Sequence, residues 1–142
     1  VVGLIAPAEA PLLALVSRLA PIIVSGNTVV ALASETLPLP AVTLGEALAT
    51  SDMPGGVINL ITGTRAELVP WFAGHRDLNA LDLTGVDDAE LAADAERAAA
   101  ESVMRVTRTT GADADWRSPS AQSPYAIEAF LEHKTVWHPK GA

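Results

Sequence analysis

The side chains able to do chemistry in this chain are few, and the most reactive type is missing: its 142 residues include no cysteine. A thiolate nucleophile and a disulfide are both ruled out within the chain. That is compatible with a reducing cytoplasm, where the chain is expected to reside. Its histidines, His75, His133 and His138, share no metal-ligand spacing with each other or with acids, so no metal site is expected. Ser102 and Ser118 lack a histidine partner that would read as a serine hydrolase. Asp82 lies inside an apolar run, Leu78 to Leu83. It reads either as a buried carboxylate or as one aimed into a polar crevice at a sheet end. The acidic cluster from Asp87 to Glu96 reads as a solvated helix face.

The elements that must position these groups follow from hydrophobic period and turn chemistry. Val1 to Ala6, Thr28 to Ala33, Val57 to Thr62 and Leu78 to Leu83 are short apolar runs, as buried parallel strands are. Between them lie helical patterns: one from Pro11 through Leu12, Leu15, Val16 and Leu19, one over Pro40 to Ala49, and a brief one over Ala66 to Ala73. Strands alternating with helices at this spacing predict an α/β fold, a Rossmann-like, open and mostly parallel sheet with right-handed crossovers. A long helix is expected from Asp87 to about Met104, with Asp87 and Asp88 as capping candidates and Leu91, Ala95, Ala98 and Ala99 as its buried stripe. A polar loop follows from Gly111 to Ser123, then a helical segment over Ala126 to Leu131 and a β-type run over Lys134 to His138.

Composition narrows the function classes. Hydrophobic residues make up 49% of the chain and aromatics only 4%, so small aliphatics must build the core. A surplus of apolar surface usually finds another subunit. Nine basic against 17 acidic residues give a net charge of −8, which argues against a nucleic-acid surface. The most apolar stretch, Ala10 to Val24, is broken by Arg18 and Pro21 and is too short to span a bilayer, so no membrane partner is expected. The chain opens on Val-Val-Gly-Leu-Ile, as if inside a strand, which suggests further residues upstream.

Four ordered stretches carry a family resemblance. They are Val2 to Pro7 with Pro11-Leu12; Gly26 to Val30 with Ser34-Glu35 and Pro38; Pro54 to Asn59 with Thr62-Gly63; and His75 with Thr84-Gly85. Together they resemble the cofactor-binding core of the aldehyde dehydrogenases over about 85 residues. Lys134-Thr135-Val136-Trp137 resembles the last strand of these enzymes, which pairs with a neighbouring subunit. An internal edge strand is the alternative. The resemblance divides the chain into a nucleotide-binding domain over 1–108, incomplete at its start, a polar loop over 109–124, and a helix with an oligomerisation strand over 125–142.

The resemblance implies NAD or NADP as cofactor, with Pro7, Ser34, Glu35, Thr84 and Gly85 as a vestigial cofactor site. Ser34 and Glu35 would stand at the adenosine ribose, whose hydroxyls suit a carboxylate. With Leu32 and Val69 present, the preferred reading is a capping and solvating pair in a loop. Departures accompany the matches. Glu9 stands where the family holds an oxyanion-stabilising asparagine, and Leu32 where a lysine touches the ribose. Val69 replaces a glycine expected to begin the helix beside the pyrophosphate, and Val86 replaces a serine. The domain that would carry the nucleophile, and the signature of the general-base glutamate, are missing. No catalytic residue is therefore expected. The implied role is structural: assembly as a homo-oligomer, or with a catalytic aldehyde dehydrogenase subunit, through Thr135, Val136 and Trp137. The alternative is an NAD(P)-binding subunit whose active site lies elsewhere.

Overall fold

Five parallel strands form one sheet in the order β3-β2-β1-β4-β5 in the computed structural model, which describes residues 1–109 and 115–139. The strands are β1 (Val2–Ile5), β2 (Val29–Leu32), β3 (Ile58–Ile61), β4 (Ala80–Asp82) and β5 (Arg105–Thr107). Four helices connect them: α1 (Leu13–Val24), α2 (Leu39–Ala49), α3 (Arg65–Gly74) and α4 (Ala89–Ala100). The expected Rossmann-like α/β sheet is thus present, with β1 at its centre.

Period-two alternation along the strands sorts the core into two layers. Val2, Leu4, Val29 and Ala31 pack with Leu15, Leu19 and Ile22 of α1 and Ala41 of α2. Ile5, Leu32, Leu81 and Leu83 pack on the opposite face with Val69 and Phe72 of α3 and Ala92, Ala95 and Ala99 of α4. Small residues on α4 let that helix lie close to α3 and the sheet. Gly3 belongs to the same face, and an added Cβ there would stand 2.8 Å from Phe72 Cδ1 and 2.9 Å from Leu81 Cδ1.

The helix expected to run to Met104 stops at Ala100, and the residues beyond it supply a fifth strand. The cause is a Schellman closure. Met104 N–H donates to Ala99 O at 3.0 Å and Val103 N–H to Ala100 O at 3.2 Å, with Val103 at φ 56°. α1 ends the same way, with Gly26 at φ 82° donating to Ile23 O. Glycine fits this left-handed position, and a β-branched residue is strained there. Val103 is 87% exposed, so little packing opposes its removal. Val103→Gly is expected to raise stability by about 1 kcal/mol, since the left-handed conformation costs a non-glycine residue roughly that much. An unchanged or lower urea midpoint would contradict this.

The C-terminal region departs from expectation in two respects. The helical segment is a 3-10 helix over Pro124–Phe130, preceded by another over Pro119–Gln122. The first part of the polar loop, 110–114, lies outside the described residues, as do 140–142. Phe130 is 1% exposed and completes the α1-side core, with its carbonyl accepting from Asn27 Nδ2 at 3.0 Å. Lys134–His138 is not a strand within this chain: residues 131–139 carry no helix or strand. A strand exists only where a neighbour supplies the ladder, and no element among the described residues pairs with this run.

Candidate functional site

The strand order reverses direction between β1 and β4, which splays the β1–α1 and β4–α4 connections apart at the carboxyl ends of the strands. Such a switch point is where open α/β sheets hold their ligands. Here the connections come back together through backbone. Gly85 N–H donates to Ile5 O at 3.0 Å, and a Cβ on Gly85 would stand 2.2 Å from Ala6 O. Pro7 is buried just beyond β1. Thr84 is held by Asp82, whose Oδ1 accepts from Thr84 N at 2.9 Å and from Thr84 Oγ1 at 2.5 Å. Thr84 Oγ1 in turn accepts from Thr109 N–H at 3.2 Å, tying the β5 exit to the β4 exit.

Asp82 faces the α1 layer, as its alternation with Leu81 requires. It is fully buried, and its Oδ2 accepts from both Arg18 Nε and Arg18 Nη2 at 2.7 Å. Of the two readings open from sequence, the buried carboxylate holds. The Arg18 guanidinium also lies over the Phe130 ring, 5.8 Å from its centroid. One ion pair thereby links α1, β4 and the C-terminal 3-10 helix.

Ser34 and Glu35 follow β2 into the same region. Ser34 is buried; its Oγ accepts from Leu37 N–H at 3.2 Å and reaches Ala8 O at 3.5 Å. Glu35 Oε2 accepts from Arg65 N–H at 2.9 Å. It thus satisfies an orphan donor at the start of α3, where Thr64 makes no side-chain cap. Leu32 is fully buried in the α3-side core. Glu9 is exposed and lines a hollow of about 490 Å³ shared with Trp116. Val69 does not begin a helix: it is the fifth residue of α3, and its side chain is fully buried in the core. The helix starts at Arg65 because the chain leaves extended backbone at Thr64.

Arg65 is the residue that sequence reasoning missed. Its Nη2 donates to Ala6 O at 3.0 Å, and its Nη1 pairs with Asp87 Oδ2 at 3.2 Å. Its Nε is buried with no partner among the described residues. A cation in the first turn of a helix opposes the macrodipole, and that anomaly was the available signal. Arg108 adds a second guanidinium, donating to Val86 O at 3.0 Å. Across the opening, Asp88 Oδ1 caps α4 by accepting from Glu90 N–H at 2.8 Å and Leu91 N–H at 3.2 Å.

A parallel sheet of this order, with flanking helices and a glycine turn after β4, is an open, Rossmann-like α/β domain. The sequence pattern of the aldehyde dehydrogenase family matches residues 1–116, and the chain belongs to that family. It is 37% identical over 86 residues to 2-hydroxymuconic semialdehyde dehydrogenase of Pseudomonas sp. (strain CF600), covering 60% of this chain and 18% of that one. It is 37% identical over 112 residues to 2-aminomuconic 6-semialdehyde dehydrogenase of Pseudomonas sp., covering 78% and 22%. Among solved structures, an aldehyde dehydrogenase from Bartonella henselae superposes with TM-score 0.71 at 32% identity, covering 78% of this chain and 23% of that one. The NAD+ complex of Staphylococcus aureus betaine aldehyde dehydrogenase superposes with TM-score 0.71 at 29% identity, covering 78% and 21%. The chain therefore spans about a fifth of the length of the curated relatives it matches. Among the described residues, no helix is long and apolar enough to cross a membrane.

Proposed function

We propose that this chain serves assembly rather than chemistry, docking its terminal segment Thr135-Val136-Trp137 onto a second copy or onto a catalytic aldehyde dehydrogenase subunit. The observation that carries this reading is the exposure of Val136 and Trp137, at 69% and 87%, on a run that joins no strand ladder among the described residues. Apolar side chains on an unpaired extended segment favour strand addition to a neighbouring edge. The lack of any cysteine supports the same reading, because thiolate attack on an aldehyde carbonyl cannot arise from these residues.

Light scattering after size exclusion tests the proposal. The parent protein should elute as an oligomer, or co-elute with a catalytic aldehyde dehydrogenase. The double substitution Val136→Ser, Trp137→Ser should shift it to monomer while leaving its circular dichroism unchanged. A parent that stays monomeric at high concentration and binds no such subunit would sink the idea, as would aldehyde oxidation at enzyme-like rates by the chain alone.

A second reading, an NAD(P)-binding subunit of an aldehyde oxidoreductase, rests on Glu35, which follows β2 where a carboxylate would meet ribose hydroxyls. Micromolar NAD or NADP binding lost in Glu35→Ala would favour it.

A further inference from the structure

We propose that Arg65 is an internal occupant of the switch-point crevice, a latch that holds the β1 and β4 exits together and keeps a dinucleotide out. The residues gathered there do not fit a dinucleotide as they stand. The Glu35 carboxylate is engaged by Arg65 N–H at 2.9 Å. The Arg65 side chain then reaches from the start of α3 across to Ala6 O, at the end of β1, and to Asp87, at the entrance to α4. One residue thus bridges the loops that follow β1, β2 and β4, the walls between which a ligand would lie.

Electrostatics favour the arm over a diphosphate. Glu35, Asp87 and Asp88 bring three carboxylates to the loops after β2 and β4, and Asp88 already accepts from the Glu90 and Leu91 N–H groups of α4. A dinucleotide would bring further negative charge to that rim, whereas a guanidinium neutralises it. The helix terminus that could hold a phosphate is capped from within.

The latch is releasable. Asp87 is 68% exposed on its side chain, so one anchor is a surface ion pair of small worth. Arg65 Nε is buried without a partner among the described residues, so among them the closed arrangement leaves one donor unsatisfied. Only the Ala6 carbonyl contact is both sheltered and geometrically good, at 3.0 Å. Removing the arm should uncover the Ala6 carbonyl and free the Asp87 carboxylate, while the Arg65 backbone N–H still meets Glu35.

Calorimetric titration with NAD+ and with ADP tests the latch directly, and its outcome is independent of the assembly role of the terminal segment. The parent should bind neither probe at micromolar concentration. Arg65→Gly, verified as folded by circular dichroism, should bind at least about tenfold tighter, the factor that corresponds to 1.4 kcal/mol. Asp87→Asn cuts one anchor and keeps the arm, so a gain of about threefold is expected from a surface pair. Micromolar binding by the parent would overturn the proposal. So would an Arg65→Gly protein that binds no tighter, or one that binds more weakly, which would make Arg65 a ligand contact. If Arg65→Gly does not fold, Asp87→Asn decides: no gain in affinity overturns the latch.

Discussion

Replacing Gly85 by alanine is expected to cost about 3 kcal/mol or more, at or beyond the upper end of ordinary overpacking penalties. The added Cβ would stand 2.2 Å from Ala6 O, 2.4 Å from Ala6 C and 2.5 Å from Ile5 O. These are backbone atoms at the end of the central strand, so no side-chain rotation relieves the overlap. The β4 exit would have to withdraw from β1, breaking the Gly85 N–H to Ile5 O bond and disturbing buried Val86 and Pro7. Urea unfolding of the parent and the variant measures the cost. A loss below about 1 kcal/mol would mean that the two loops do not approach as closely as described. Loss of the crevice geometry should accompany the loss of stability, because the same contact brings the switch-point loops together.

Arg18→Met is the other change with a large expected effect. Asp82 would keep its bonds from Thr84 but lose the only cation that meets it among the described residues, and an unpaired buried charge costs about 3–5 kcal/mol. Adding Asp82→Leu to Arg18→Met should return part of that loss, since a buried pair replaced on both sides by apolar groups is often close to neutral. Recovery will be incomplete, because Thr84 N–H and Oγ1 lose their acceptor. A denaturation cycle over the parent, both single variants and the double variant isolates the pair energy. A loss of under about 1 kcal/mol in Arg18→Met would place the pair with exposed ion pairs and contradict its burial.

Much of the fold was legible because its signals are local. Four of the five strands are short runs of mostly β-branched or aliphatic residues between turn residues, and β1, β2 and β4 are buried along nearly their whole length. The fifth strand was not legible. Arg105-Val106-Thr107 is brief, and the alanine-rich helix before it continues a helical pattern up to Met104. The stop signal was a valine in a position that glycine normally marks. The terminal run Lys134 to His138 shows the converse: its residues favour a strand, yet a strand needs a partner that no described element supplies.

The candidate site was legible in its residues and not in its connections. Glu35 could be placed after β2 from turn chemistry, but its partner, Arg65 N–H, lies 30 positions on. The buried state of Asp82 could be entertained, yet its cation sits 64 positions earlier on α1. Such pairings depend on which helix crosses which face of the sheet, a choice made by right-handed crossovers and the reversal of strand order.

By itself, then, the sequence determined the alternation of strands and helices, the family and the lack of cysteine among these 142 residues. It did so because periodicity, turn residues and composition act over a few neighbouring positions. The tertiary structure alone decided that Asp82 meets Arg18, that Gly85 must touch the end of β1, and that Arg65 reaches across the crevice. Each is a contact between residues distant in the chain, and only the packing of the two helical layers on the sheet brings them within bonding distance.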